Sequence, residues 1–450
     1  MKTLPSIRVP HRKSTAASAP ARMNVPSTVT IPMSMHIGAP AKPVVAPGDR
    51  VEVGQLIGEP GGFVSSPVHA SVSGTVKKVG GILLSSGKTV PAVTIESDGA
   101  QTPFAGLKPP DVRDLPSFLT AVAASGAVGL GGAGFPTAVK LSLKDPSKLE
   151  VVLVNGAECE PYITSDTRTM LDRGEELLDG ARLVRTYLDP PRIVFCVEDN
   201  KPECAERLRA LTRGEDRMEV RALPSAYPQG GEKVLIYNVT GRVVPEGGLP
   251  IDAGAVVLNC TTLATIARYV RTGMPLVEKC VTVDGPAVKS PRNVLAPIGA
   301  SLRDVFASCG GFREEPKKVL YGGPMMGLTV PDLDAPILKN TNAVLAFGER
   351  DAALPPETAC IRCGSCVRAC PMRLMPVEIE HAYDRRDGER LKKLRVNLCF
   401  ECGCCAYVCP ARRPLVQINK LAKGVLASYL AAQKAEAEKA AARAKEAEKP

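Results

Sequence analysis

Cys360-x-x-Cys363-x-x-Cys366-x-x-x-Cys370-Pro371 returns 39 positions later as Cys399-x-x-Cys402-x-x-Cys405-x-x-x-Cys409-Pro410. Three thiolates at i, i+3 and i+6 wrap one face of an iron–sulfur cube, and a fourth ahead of a proline crosses over to the other cube. The spacing therefore assigns Cys360, Cys363, Cys366 and Cys409 to one [4Fe–4S] cluster. Cys399, Cys402, Cys405 and Cys370 form the second set. Structural zinc or disulfides are the competing use of eight cysteines, but zinc sites rarely repeat this third spacing with a trailing proline. Cys404 lies inside the second phrase but out of register, and is read as a non-ligand. A chain with two such cubes moves electrons.

The rest of the composition sets the setting. At 450 residues the chain is long enough for about three or four domains. No apolar run approaches the length needed to span a bilayer, and no apolar segment follows the basic residues at the N-terminus. Fifteen cysteines without an export signal point to a reducing compartment, where thiolates stay available for metal. Cys159, Cys196, Cys204, Cys260, Cys280 and Cys309 are scattered and read as small core residues. The formal charge of +10 favours an acidic protein partner or an anionic membrane face. It does not suggest nucleic acid: there is no tryptophan, and no basic stripe interleaves with aromatics.

Upstream of the cysteines the pattern changes several times. Residues 1–28, rich in Pro, Ala, Ser and Arg, read as an extended arm. Residues 29–100 alternate Val-rich pieces with glycine turns, the mark of a small all-β unit. Pro47–Ile57 followed by Ala70–Val76 resembles a lipoyl/biotinyl-type barrel-sandwich hybrid. No lysine occurs between Lys42 and Lys77, so the carrier attachment site is absent and the unit is read as structural. From 105 to 247 helices (Leu115–Ala124, Leu177–Leu188) and strands (Glu150–Val154, Arg192–Glu198) alternate, which predicts an α/β domain with a parallel sheet. Residues 248–335 return to short strands around a helix at Ser301–Cys309, a β-grasp-like module. The region 350–418 should be short helices draped around the cubes, and 420–450 a charged, solvated helix or tail.

The second strong signal is Gly129-Leu130-Gly131-Gly132-Ala133-Gly134-Phe135-Pro136-Thr137, with Lys140 just beyond. It matches G-x-G-x-x-G, a weak pattern alone. A dinucleotide fingerprint also needs a strand immediately upstream, and Leu115–Ala124 reads as a helix. Phosphate binding remains the physical reading, because small residues let backbone N–H groups approach an anion with a helix N-terminus behind them. Lys140, one turn in, is placed to pair with that phosphate; a tight packing turn is the alternative. Asn155-Gly156-Ala157-Glu158-Cys159-Glu160-Pro161 follows a buried strand, where α/β folds bind ligands. Asn155 suits a flat heterocycle's edge, and Glu158 or Glu160 accepts from ring or ribose donors.

These motifs, in this order, resemble the RnfC subunit of the Rnf electron-transport complex, a ferredoxin:NAD oxidoreductase coupled to sodium or proton pumping. More distantly, the glycine loop and Asn155–Pro161 look like the flavin-binding subunit of respiratory complex I. The likeness runs from His36-Ile37-Gly38-Ala39-Pro40 through Tyr227–Lys233, Gly247–Pro250 and Gly322–Gly327 to Pro410. It implies a multidomain α/β chain: barrel-sandwich hybrid, Rossmann-like FMN-binding domain, SLBB-like β-grasp module and a helical ferredoxin-like domain. It also implies a non-covalent FMN cradle of Gly129, Gly131, Gly132, Ala133, Gly134 and Lys140, with Asn155, Glu158, Gly230 and Asn259 as further contacts. Phe135 and Glu160 carry over to the NADH side. Gly231 stands where the complex I relative has an acidic residue, leaving Glu232 there.

Function follows from chemistry. NADH gives up a hydride, whereas [4Fe–4S] clusters exchange single electrons, so a flavin is required between them. No acid or base is needed beyond the groups that orient nicotinamide and flavin, and His11, His69 and His381 are read as surface or packing residues. The resemblance implies NADH as substrate, an iron–sulfur partner subunit in a membrane complex, indirect exchange with ferredoxin, and a peripheral place on the cytoplasmic face. A soluble flavin/iron–sulfur reductase of the cobalamin-reductase type and a non-catalytic wiring subunit are the alternatives. The transported ion and the direction of flow are not written in this chain.

Overall fold

A computed structural model describes residues 4–447. The extreme ends of the arm and of the C-terminal tail lie outside the described residues. By internal packing the chain divides into two compact units: residues 10–225 with 229–353, and residues 354 onward with 226–228 and the N-terminal residues up to Val9.

In the larger unit, four parallel strands form the α/β sheet in the order Met218–Leu223, Ile193–Glu198, Val151–Gly156, Ala255–Asn259. Alternate residues feed two cores, as side chains on a strand must. Val152, Val154, Phe195 and Leu258 pack with Phe118, Leu177, Val184 and Leu263 from the helices on one face. Val151, Leu153, Val194 and Val257 pack with Leu235, Ile236 and Val239 on the other. Both faces are covered, so the strands read as unbroken apolar runs. Chain order runs outward from 151–156 through 193–198 to 218–223, then returns to place 255–259 on the opposite side of 151–156. That reversal is a topological switch point, and ligands bind beyond the carboxyl ends of such strands.

This topology corrects the expected boundary at 247. The 255–259 strand and the helix Cys260–Thr272 belong to the α/β domain, not to the β-grasp module. A linear reading cannot see a strand that skips its sequence neighbour to pair elsewhere. The 218–223 strand has no signal in the sequence either, because an edge strand is half-exposed and lacks a clean apolar run. The β-grasp module proper begins at Glu278 and extends past 335, since Ala343–Phe347 lies in the middle of its six-stranded sheet, between Glu278–Asp284 and Lys318–Tyr321.

The barrel-sandwich unit comprises a four-stranded sheet (Thr28–Pro32, Thr89–Ser97, Gly74–Leu83, Arg50–Val51) and a three-stranded one (Lys42–Pro43, Leu56–Glu59, Val68–His69). Its core takes in Val128 and Leu130 from the glycine loop. The arm is not free. Ala21–Arg22 adds a parallel strand to the β-grasp sheet beside Arg292–Pro297, and residues 11–16 are laid against the α/β domain.

The cysteine unit is built on an internal repeat. The short helices Ser365–Arg368 and Cys404–Tyr407 hold equivalent places in the two phrases, and Pro376 and Leu415 open the helix that follows each. The last helix therefore starts at Leu415, not near 420. Leu415, Asn419, Ala422 and Leu426, at helical spacing, are buried. Ala422 and Leu426 pack with Ile379 and Leu391. Its first turns are thus part of the cluster domain's core rather than a solvated tail.

Candidate flavin and iron–sulfur sites

The glycine loop sits at the switch point. Asn155 and Asn259 are register partners at the carboxyl ends of the two adjacent strands. Asn259 caps the Cys260–Thr272 helix by accepting from Thr262 N at 3.2 Å, and its amide donates to Asp166 Oδ2 at 2.7 Å. Asp166 also accepts from Thr261 Oγ1 at 2.7 Å. The loop is fixed over this helix start from several sides. Leu130 N donates to Thr262 Oγ1 at 3.1 Å, Thr262 Oγ1 donates to Val128 O at 3.0 Å, and Gly129 N donates to Phe135 O at 2.9 Å. Ile37 N donates to Gly134 O at 3.1 Å and Asn340 Nδ2 to Gly132 O at 3.1 Å. Leu130 meanwhile anchors the loop in the barrel-sandwich core.

Two glycines are required for different reasons. A Cβ on Gly131 would lie 2.4 Å from Asn259 Nδ2, inside contact distance. Gly134 has φ +72°, a left-handed conformation that suits glycine. By contrast a Cβ on Gly132 would meet nothing within 4 Å, and residues 131–133 are exposed. Open backbone facing outward beside the N-terminus of a long helix is the arrangement that binds a phosphate.

The other expected contacts gather around this crevice in unequal ways. Asn155 Nδ2 donates to Gly230 O at 2.9 Å, its Oδ1 accepts from Ala157 N at 3.2 Å, and Gly230 N donates to Cys159 Sγ at 3.4 Å. Lys140 Nζ is engaged by Glu232 Oε1 at 2.7 Å and Val257 O at 3.1 Å, so the expected phosphate partner and the expected nicotinamide contact meet each other. The Glu158 carboxylate accepts from Asp166 N, Thr167 N and Thr167 Oγ1 at 2.6, 3.2 and 2.6 Å, capping the start of Ser165–Asp172. Burial raises its pKa, an effect opposed by Lys13. Glu160 accepts from Met325 N at 3.1 Å and Met326 N at 2.8 Å, and so is tied to the Gly322–Gly327 loop of the β-grasp module. Phe135 is half-buried. Sequence reasoning missed Asp166, Thr262, Asn340 and Lys13; only Thr262 had a signal, as the third residue after the cap Asn259.

A buried polar knot supports the loop from behind. Lys339 Nζ donates to Ser66 Oγ, Pro67 O and Gly126 O at 3.0, 2.6 and 2.8 Å. Its pKa is pushed down to about 7 by burial, and His69 beside it falls to about 3 by burial and then by the Lys339 charge. Because the folded pKa of Lys339 lies below its unfolded value, the unfolded chain binds more protons between about pH 7 and 10.5, and stability rises with pH there. The melting temperature of the parent relative to Lys339→Met is expected to climb across that window, by linkage worth a few kcal/mol. A flat difference from pH 7 to 10 in calorimetry would count against this.

In the smaller unit, backbone geometry repeats with the cysteines. Arg362 and Glu401, each two residues after a first cysteine, have φ +55° and +62°; Gly364 and Gly403 have φ +70° and +80°; Arg373 and Arg412, three after a fourth cysteine, have φ +54° and +55°. Cys370 lies within electrostatic reach of Cys399 and Cys402, Cys405 of all three, and Cys366 of Cys409. No two of the cysteines are joined by a disulfide. Arg362 N donates to Cys360 Sγ at 3.4 Å, Leu374 N to Cys370 Sγ at 3.3 Å and Asn419 Nδ2 to Cys399 Sγ at 3.7 Å, donors that favour charge on sulfur. Among the described residues no three His, Cys, Asp or Glu side chains converge on a single metal ion. In a cube each thiolate takes its own iron, so the sulfurs of one set need not meet at a single point. Cys404 instead turns its thiol to Tyr227 O at 3.9 Å, and Tyr227 Oη donates to Cys402 O at 2.7 Å.

Comparison with known proteins matches each region in turn. Residues 5–100 match the RnfC barrel sandwich hybrid domain, 122–268 the Nuo51 FMN-binding domain, 280–329 the SLBB domain and 359–412 the 4Fe-4S dicluster domain. Most of the arm therefore falls within the barrel-sandwich family region. A chain that joins an FMN-binding domain to two [4Fe–4S] clusters is a flavin and iron–sulfur electron-transfer subunit.

Its relatives narrow this further. It is 44% identical over 377 residues, 83% of this chain and 85% of the relative, to the RnfC subunit of the Na(+)-translocating ferredoxin:NAD(+) oxidoreductase complex of Acetobacterium woodii. It is 42% identical over 357 residues, 78% of each chain, to the equivalent subunit of the proton-translocating ferredoxin:NAD(+) oxidoreductase complex of Clostridium ljungdahlii. It is 39% identical over 421 residues, 92% of this chain and 81% of the relative, to the equivalent subunit of the ion-translocating oxidoreductase complex of Rhodobacter capsulatus. The chain belongs to this RnfC family, as a subunit of an ion-translocating ferredoxin:NAD oxidoreductase complex. Among solved structures, an NAD+-reducing [NiFe]-hydrogenase chain aligns with a TM-score of 0.47 and 20% identity over 69% of this chain and 60% of that one.

Proposed function

We propose that this subunit is the NAD(H)-reactive module of its complex, exchanging electrons between NAD(H) and an iron–sulfur partner subunit. The observation that carries the reading is a glycine loop at the switch point of a parallel sheet, in the same chain as two interlocking four-cysteine sets. Gly129, Gly131, Gly132, Ala133 and Gly134 would hold the FMN phosphate against the start of the 260–272 helix. Asn155, Glu158, Gly230, Asn259 and Lys140 would complete the cradle. Bound FMN supplies the conversion between two-electron hydride chemistry and the one-electron chemistry of the clusters.

The chain's own residues bind and orient. Phe135, Glu160 and Glu232 border the side from which NADH would enter. The Lys140–Glu232 pair, 28% and 40% exposed, neutralises its own charge there. Cys360, Cys363, Cys366 and Cys409 hold one cluster, and Cys399, Cys402, Cys405 and Cys370 the other. Among the described residues no helix is long and apolar enough to cross a membrane. This suits a subunit peripheral to the cytoplasmic face, with the passage of Na+ or H+ left to partners and ferredoxin reached through them.

Anaerobic purification followed by flavin and iron analysis tests this directly. About one FMN and eight irons, with NADH bleaching flavin and cluster absorbance together, is the expected result. Eight irons with no flavin and no response to NADH after FMN is supplied would leave a wiring subunit.

A further inference from the structure

The segment that follows Gly156 has no regular secondary structure until Ser165, so its carbonyls lack a ladder to bind. Two of its non-glycine residues, Glu158 and Tyr162, have φ +47° and +71°, a conformation that must be held by surroundings. The holding group comes from the N-terminal arm. Lys13 Nζ donates to Glu158 O at 2.7 Å, Glu160 O at 2.8 Å and Ile163 O at 2.5 Å. An ammonium has three N–H donors, and all three are spent on one segment. Burial lowers the Lys13 pKa, while Glu158 opposes that shift.

The arm on either side is fixed independently. Tyr162 N donates to His11 O at 3.0 Å, and Arg12 lies over the Tyr162 ring, 5.7 Å from its centre. Ser14 Oγ donates to Asp284 Oδ2 at 2.9 Å, and Thr15 Oγ1 bonds Thr164 Oγ1 at 2.5 Å. Asn293 Nδ2 donates to Thr15 O at 3.0 Å, and Arg168 Nη1 to Ala16 O at 2.9 Å. The arm therefore stays docked without the amine. What the amine adds is the inward turn of three carbonyls between Glu158 and Ile163, in the segment that carries Glu158 and Glu160 to the crevice.

We propose that Lys13 is a positioning residue of the nucleotide site, its ammonium setting the shape of the 158–163 segment against which flavin and nicotinamide bind. The proposal rests on the reading of that crevice as the FMN and NADH site. A loss of hydrogen-bonded charge there leaves three carbonyls to find new partners, and the segment relaxes away from the shape the ligand needs.

The test compares parent, Lys13→Met and Lys13→Arg as full chains with clusters intact, iron content serving as the control for folding. Three quantities are read: hydrogen exchange of the 156–164 amides without flavin, FMN affinity by fluorescence quenching, and KM for NADH against kcat. For Lys13→Met, faster exchange confined to 156–164, FMN affinity weakened on the order of tenfold to a hundredfold, and a raised KM are expected. Lys13→Arg, which keeps charge and donors, should recover part of each. A Met variant matching the parent in exchange and FMN affinity overturns the proposal, as does accelerated exchange over the whole α/β sheet with Arg no better than Met. A parent that binds no FMN overturns the nucleotide reading itself, so the two failures are told apart.

Discussion

Replacing Cys370 with alanine is expected to remove the cluster of the other phrase, the one held by Cys399, Cys402 and Cys405, and to leave the cluster of its own phrase in place. Iron should fall from about eight to about four atoms per chain. Cys370→Ala and Cys399→Ala should abolish the same signal in the reduced paramagnetic resonance spectrum, while Cys409→Ala and Cys360→Ala abolish the other. The reason is geometric. Each fourth cysteine follows its own triplet across a short helix, Ser365–Arg368 or Cys404–Tyr407, and Cys370 lies within electrostatic reach of Cys399, Cys402 and Cys405. If Cys370→Ala and Cys360→Ala erased one signal together, the crossing would be wrong and each phrase would hold its own cube.

The glycine loop gives the second large effect, and two neighbouring glycines separate folding from binding. In Gly131→Val the new Cβ would press on Asn259 Nδ2 from 2.4 Å, displacing the cap of the 260–272 helix together with the loop. Both FMN binding and melting temperature should drop, the latter by the 1–3 kcal/mol that overpacking typically costs, about 2–4 °C for each kcal/mol in a domain of ~150–250 residues. In Gly132→Val the side chain enters open space, because no atom lies within 4 Å of the added Cβ. Stability should stay close to the parent's, but FMN affinity should fall about tenfold to a hundredfold, since the side chain occupies the approach to the backbone. Titration of cluster-intact, flavin-free protein with FMN, alongside calorimetry, reads both. Unchanged FMN affinity in Gly132→Val would place the phosphate elsewhere.

Much of this is legible in the chain because it is local. The two cysteine phrases mark the dicluster domain, and the 39-residue repeat reappears in the left-handed positions at 362 and 401, 364 and 403, and 373 and 412. Helix 115–124 has the span expected from the sequence, and in the fold Asp114 caps its start by accepting from Ser117 N. The glycine loop is visible for the same reason: small residues in a row have few other uses.

The side chains of the crevice are not legible in their roles. Glu158 and Glu160 look alike in sequence, two acceptors in one loop, yet one caps the 165–172 helix and the other is held by Met325 and Met326 N–H groups some 165 positions away. The sequence points Lys140 at a phosphate, and its ammonium is bound by Glu232 from a helix 92 positions on. Lys13 lies in an arm whose composition suggests only extended chain.

By itself, then, the sequence determined the electron carriers, the glycine turn and the family, because each cysteine phrase and the glycine turn is a local motif and the family is carried by the order of such motifs along the chain. Tertiary structure alone decided that the 255–259 strand completes the flavin sheet, that the barrel-sandwich core anchors Leu130, and that an arm lysine shapes the nucleotide segment. Those depend on which distant surfaces meet. Meeting is settled by burial of apolar faces over the whole chain, and a local pattern of residues does not encode the partner.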